Sequence, residues 1–373
     1  MNMCEYGIFH KIGIKSVATT ISIASYEGNF DSTGMPSFPS YVPSMMMQFG
    51  EQMSFLQRVF NTLSLGVGKF IYPILQLPTE RVLQEQFGAD FPNHEELKCS
   101  TSLWFLNAEQ LIEFPRPIIH KMIDIGGITV SSVHHPLNDD WNRIMGLRPK
   151  TVLISFGTVA KSYHMPEHYK RNILTVIKKF SNVTFIWKYE KPEDKISENN
   201  ANLIEATWEP QIDMLCEISL RNPTNIYCMK KSPMEATTAG VPLIVVPIVG
   251  DQKRNAAVID RIGTGIVLDK DSLGDTEKLE NALQSALTSD EYRKKARAVS
   301  EMIRNRPFSP SDTFARNMEF LARFGPLRML DHHGRELNFI QYFLIDVFAF
   351  LISIILLALL ISFKIAKIGV SLC

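Results

Sequence analysis

The stretch NIYCMKKSPMEATTAGVPLIVVPIVGDQKRNA (225–256) decides the fold. It reads as two strand–helix units in succession. NIYCM is a short β-rich run, and PMEATTA (233–239) suits a helix. PLIVVPI (242–248) is a continuous apolar run of the kind that a strand buried on both faces requires. QKRNAAVIDRIG (252–263) then opens a second helix. Strands that alternate with helices at this spacing form a parallel sheet with helices on its faces.

The alternation continues in both directions. Upstream lie a strand TVLISFG (151–157), an amphipathic helix PEHYKRNILTVIKKF (166–180) and a strand VTFIWKY (183–189). A weak strand ANLIEATW (201–208) and a helix start PQIDMLCEI (210–218) follow. Downstream lie a strand TGIVLD (264–269) and a helical pair over 275–305. The reading for this half is α/β, a doubly wound sheet. Residues 1–148 are less regular. The first fifty read as loop-rich, with the proline-bearing GMPSFPSYVPSMMM (34–47). Apolar residues at helical spacing (Phe55, Val59, Phe60, Leu63) predict one or two helices, broken near Gly66–Gly68 and Pro73.

Length and composition bound the class. A chain of 373 residues suits two domains with additions. Apolar residues at 45% and charged ones at 21% fit a globular chain. Lys+Arg and Asp+Glu are both 39, so nothing points to nucleic acid. The five cysteines are scattered, and no spacing suits a disulfide framework or a metal.

The C-terminal run FLIDVFAFLISIILLALLISF (343–363) has the length and apolarity of a transmembrane helix. Lys364 and Lys367 predict a cytoplasmic tail over 364–373, with a juxtamembrane segment 331–342 and the globular part in a lumen, the endoplasmic reticulum by expectation. Asn182-Val-Thr184 is a glycosylation sequon consistent with a lumen. The opening MNMCEYGIFHKIGIKS lacks the features of a signal peptide.

In doubly wound sheets, ligands bind at the carboxyl ends of strands. Four pieces fall there. SFGT supplies Ser155, Gly157 and Thr158, a backbone that can approach a phosphate. WEPQ supplies Trp208 as a flat face for a base and Gln211 for an amide or ribose edge. SPME supplies Ser232 at a helix start and Glu235 one turn on, where a carboxylate can accept ribose hydroxyls. GDQ supplies Asp251 and Gln252 for sugar hydroxyls. Singly these are weak signals, since a Trp at a strand end often only packs and Ser before a helix is often only a cap. Their order on consecutive βα turns carries the reading.

With that order in place, the chain resembles the UDP-glycosyltransferases, and among them the animal UDP-glucuronosyltransferase group of nematode type. PSYVPS, MSFLQRV, EFPRP and IGGI look like its acceptor-side domain. KTVLISFGT, NVTFIWKYE, WEPQ, MEATTAGVPLIVVPIVGDQKRNA and LNFIQYFLIDVFAFL look like its donor-side domain and anchor. The resemblance implies a GT-B-like fold. Its parts would be an incomplete acceptor-side Rossmann-type domain (1–148), a UDP-sugar domain (149–330) and the membrane helix. By resemblance, Trp208 stacks on uracil, Gln211 contacts the nucleoside, and Glu235 holds the ribose. Asp251 and Gln252 hold the donor sugar, with Ser155, Gly157, Thr158 and Ser232 near the diphosphate. The implied co-substrates are UDP-glucuronate or UDP-glucose and a small lipophilic acceptor, with no cofactor and no metal. Homo- or hetero-oligomers with other members are a further implied partnership.

Two departures stand out. The family's Thr-His-Gly-Gly turn is missing, and counting back from Ser232 puts Tyr227, Cys228 and Met229 at its His-Gly-Gly positions. The family's acceptor-deprotonating His and its Asp lie in a region expected upstream of Met1, so no catalytic residue is assigned, and His10 is a candidate by position only. Besides an active transferase, two readings therefore stand. One is a non-catalytic relative that binds UDP-sugar weakly or pairs with full-length members. The other is an incomplete sequence of an active enzyme, altered near Glu217–Lys231.

Overall fold

The computed structural model describes residues 4–23, 27–130, 135–157, 160–221, 226–229, 233–248 and 250–372. The first part holds helices α1 (Cys4–Lys11), α2 (Phe30–Thr33), α3 (Phe55–Phe87) and α4 (His94–Cys99). Among them run strands β1 (Ala18–Ile21), β2 (Leu103–Leu106) and β3 (Met122–Asp124), a parallel three-stranded sheet in the order β1-β2-β3. The loop-rich reading of residues 1–50 thus gains two helices and a strand. All are short, and for the strand tertiary pairing supplies what local pattern does not: Ala18–Ile21 lie opposite Leu103–Leu106.

After α5 (Asp139–Met145) comes the larger sheet. Its strands are β4 (Lys150–Ser155), β5 (Val183–Lys188), β6 (Leu203–Ala206), β7 (Ile226–Met229), β8 (Leu243–Val245) and β9 (Gly265–Val267). All pairs are parallel, in the order β6-β5-β4-β7-β8-β9. The interleaved helices are α6 (Glu167–Lys179), α7 (Gln211–Arg221), α8 (Pro233–Ala239), α9 (Gln252–Ile262), α10 (Thr276–Thr288) and α11 (Asp290–Arg304). The two-residue period of a strand sends its side chains to opposite layers. Val152 and Ile154 join Phe185 and Trp187 beneath α6 and α10. Leu153 joins Ile186, Leu243 and Val245 beneath α7, α8 and α9. Burial on both faces is why these strands read as unbroken apolar runs.

α12 (Pro310–Phe324) returns to the small sheet, where Phe314 packs on Phe105 with ring centroids 4.7 Å apart and Leu321 joins Leu103 and Ile125. α13 (Phe339–Tyr342) then leads into α14 (Ile345–Leu372). Its segment Ile345–Ile365 is long and apolar enough to cross a membrane, and none of it is buried.

The expected break near Gly66–Gly68 and Pro73 does not occur. α3 is a single helix of 33 residues that runs through Gly66, Gly68, Pro73 and Pro78. Ser54 and Gln57 form a reciprocal capping box at its start. Asn61, Leu65, Gln76 and Leu83 are buried along one side and hold the helix to the body past both prolines. Phe55, Val59, Phe60 and Leu63, which helical spacing groups on one face, point outwards.

Candidate functional site

Chain order explains where a ligand fits. The sheet grows from β4 through β5 and β6 to one side, then from β7 through β8 and β9 to the other. Loops leaving the carboxyl ends of β4 and β7 therefore diverge, and a crevice opens between them. The register sets Ser155 of β4 level with Met229 of β7, and Met229 level with Val245 of β8.

Ser155 ends β4 with its side chain buried, and its hydroxyl has no hydrogen-bond partner among the described residues. Gly157 follows at φ 82°, a backbone conformation that side chains disfavour. Thr158 lies outside the described residues. After β6, Trp208 is 68% exposed, whereas Trp104 and Trp187 are buried in the two cores. Gln211 opens α7, and its side-chain amide donates to a carboxylate oxygen of Glu235 in the first turn of α8. The N-terminal turns of two neighbouring βα units are thereby tied together.

Asp251 precedes α9 and accepts a hydrogen bond from Asn255 Nδ2 at 3.0 Å. Gln252 is buried, and its Oε1 accepts from the Ile248 backbone N–H at 2.8 Å, which fixes the loop after β8. Ser232 lies outside the described residues, as do Lys230 and Lys231.

The positions counted for the missing turn have a defined backbone. Tyr227, Cys228 and Met229 lie within strand β7, paired with β4 on one side and β8 on the other. Strand pairing with both neighbours holds them extended. His10 sits near the end of α1, its ring edge-on to Phe91 at 5.4 Å. Asn182 is exposed in the turn before β5, at the opposite end of the sheet from the crevice.

Sequence reasoning passes over one residue at this edge. Glu209, between Trp208 and Pro210, is only 5% exposed. Neither of its oxygens has a hydrogen-bond partner among the described residues. Burial pushes its carboxyl up to about 7, partly offset by Lys188 and by the nearby Ser155 hydroxyl, with Glu190 adding to the rise. A buried acid of this kind accepts or releases a proton near neutral pH.

A second unanticipated feature is a charged seam between the two sheets. Arg254 of α9 is buried and pairs with Glu113 at 2.6 Å, its guanidinium lying 5.2 Å from the Phe114 ring centroid. Burial alone would raise the Glu113 carboxyl, but Arg254, Arg116 and the Phe114 N–H together outweigh it and leave it lowered. Arg306 pairs with Glu109 and donates to the Gly126 carbonyl at 2.9 Å. Asp124, ending β3, is pushed up to about 6, chiefly by burial. The only sequence signal is EFPRP itself, because an arginine within an amphipathic helix reads as solvated.

Comparison with known proteins adds the following. The family model described as "UDP-glucoronosyl and UDP-glucosyl transferase" matches residues 2–373. The protein ugt-48 of Caenorhabditis elegans, provisionally named a UDP-glucuronosyltransferase, is 28% identical over 352 residues, covering 93% of this chain and 66% of that protein. UDP-glucuronosyltransferase 1A1 of Homo sapiens is 27% identical over 345 residues, covering 92% of this chain and 63% of that protein. The chain thus spans about two thirds of the length of the curated relatives it matches. Among solved structures, the glycotransferase of kitacinnamycin superposes with a TM-score of 0.51 at 13% identity, over 74% of this chain and 69% of that one, which is a likeness of fold.

Proposed function

Since the chain belongs to the UDP-glucuronosyl and UDP-glucosyl transferase family, we propose that it binds a UDP-sugar at the crevice between β4 and β7 and transfers the sugar to a small lipophilic acceptor. The observation that carries this reading is the tied pair Gln211–Glu235 beside the exposed Trp208, all at the carboxyl edge of the sheet. Trp208 offers an open face on which uracil stacks. Gln211 and Glu235, held against each other, present an amide and a carboxylate to the ribose. Ser155 and the Gly157 backbone approach the diphosphate, with Thr158 and Ser232 as further candidates. Asp251 and Gln252 flank the donor sugar.

The donor sugar is UDP-glucuronate or UDP-glucose, and the acceptor a lipophilic hydroxyl, amine or acid. α14 anchors the chain in a membrane, with the globular part lumenal in the endoplasmic reticulum and the lysine-bearing end cytoplasmic. A second reading, a relative that binds the nucleotide without turnover, is favoured by one observation. Tyr227, Cys228 and Met229, which stand at the His-Gly-Gly positions by the count from Ser232, run as strand, and Lys230 and Lys231 follow them in sequence.

The test is a titration of the full chain in detergent with UDP, followed by tryptophan fluorescence. Binding quenches Trp208, and Trp208→Phe removes most of the quench, while Trp208→Ala weakens binding by about tenfold or more, as loss of base stacking does. No quench and no binding by calorimetry at millimolar UDP would sink the donor-site reading. Incubation with UDP-glucuronate or UDP-glucose and a phenol then separates the two readings: product formation supports the transferase, and binding without product supports the non-catalytic relative.

A further inference from the structure

α3 turns more of its apolar surface outwards than inwards. Its inward side is mixed: Leu65 and Leu83 are buried there beside polar residues, of which Asn61, fully buried, donates from Nδ2 to the carbonyls of Pro39 (2.8 Å) and Val42 (2.9 Å) and accepts from the Ser44 N–H at 2.8 Å. The Ser64 hydroxyl meets that of Ser44 at 2.9 Å, and Gln76 is buried further along. The outward face is apolar. Phe55, Phe60, Leu63, Phe70, Ile74 and Leu75 are each more than half exposed. At ~1.5 Å per residue the apolar face, from Phe55 to Val82, is about 40 Å long. A surface helix in water carries the opposite pattern, and an exposed apolar patch of this extent marks a contact surface.

Charge and position name the occupant. From Phe55 to Val82 the charged side chains are Arg58, Lys69, Glu80 and Arg81, three cations and one acid, and the acid, Glu80, is turned to His94 at 3.2 Å. An apolar face with cations beside it suits the boundary between acyl chains and anionic headgroups. α3 also packs near the membrane approach. Lys98 of α4 lies over the α3 ring of Tyr72 at 5.1 Å. Arg335, on the segment leading into α14, donates to the Cys99 carbonyl at the end of the same α4 at 3.4 Å.

We propose that α3 lies along the bilayer that α14 spans, its apolar face sunk to the acyl boundary and Arg58 and Lys69 at phosphate level. This rests on the reading of α14 as a membrane helix. The body would then touch the lipid along a line as well as at the anchor, with its acceptor-side residues beside the phase in which lipophilic molecules dissolve.

The full chain is reconstituted into phosphatidylcholine–phosphatidylserine vesicles doped with a phospholipid carrying an acyl-chain diazirine. It is then irradiated, and adducts are mapped by mass spectrometry. Adducts over 55–75 as well as over 345–365 are expected. Adducts confined to 345–365 would overturn the proposal and leave the anchor standing, and adducts in neither region would overturn both. The double variant Phe70→Asp/Ile74→Asp, whose side chains face away from the Asn61 contacts, should cut the α3 adducts by at least about tenfold and leave those of 345–365 unchanged. Cross-links between two copies across α3, without lipid adducts there, would assign the face to a second copy and overturn the lipid assignment.

Discussion

Glu209 is a carboxyl group that burial keeps partly protonated at neutral pH. Its ordinary value is 4.5 and its folded value about 7. For an acid raised in the folded state, the associated stability is fully present below pH 4.5 and is lost as pH rises through about 7, because the unfolded chain releases the proton first. The shift corresponds to about 3 kcal/mol. Glu209→Gln should therefore lose less stability than the parent between pH 5 and pH 8, the remaining loss including that from Asp124; thermal melts by circular dichroism across that window decide it. An equal pH slope in the variant would remove Glu209 from the account. Arg254 tests the opposite situation, a buried charge with its partner. Arg254→Ala leaves Glu113 uncompensated and should cost about 3–5 kcal/mol in chemical denaturation, while Arg254→Met combined with Glu113→Gln should recover most of that loss. At this scale the sequence was unevenly legible. Trp208, Gln211 and Glu235 could be picked out because strand ends and helix starts locate them. Glu209 and Arg254 could not, because burial of a charge depends on what the other sheet brings to it.

At the scale of elements, the larger sheet was readable because each strand is buried on both faces and so announces itself as an apolar run. β7 is readable as a strand too, and the counted His-Gly-Gly positions Tyr227, Cys228 and Met229 fall within it, held by pairing to β4 and β8. α3 shows the reverse problem. Glycines and prolines predict a break, but tertiary contacts along its buried side override local propensity. Those contacts make a prediction. Asn61→Ala strands the Ser44 N–H and two carbonyls and should destabilise the chain by about 1–3 kcal/mol. An outward change such as Phe60→Ser should leave stability in detergent within about 0.5 kcal/mol. Urea midpoints for the two variants distinguish a helix held by its polar side from one held by its apolar side.

For the whole molecule, an α/β reading with a terminal apolar helix was available from residue order alone. The assembly of the halves was not, because the seam and the return of α12 to the small sheet pair residues up to two hundred positions apart. Insertion of α14 is testable at this scale. A charge at the centre of a spanning helix costs about 2.5–3.5 kcal/mol per residue. The parent should therefore stay in the membrane pellet after alkaline carbonate extraction and the variant Ile355→Arg/Leu359→Arg should shift towards the supernatant, and release of the parent itself into the supernatant would rule out a span.

The residues just before α14 are fastened to the small sheet and its flanking helices. Lys121, beside β3, pairs with Asp331, which also takes Arg335 at 3.3 Å, and the Leu327 N–H reaches the Ser102 hydroxyl at 3.2 Å. A pull along α14 is thus taken up first by the small sheet, although the larger one is nearer to it in the chain. The small sheet is the half fastened to the approach of α14, and the larger sheet meets it through the Arg254–Glu113 and Arg306–Glu109 seam, a buried apolar cluster of Ile112 and Phe114 with Val258 and Ile303, and two crossings of the backbone.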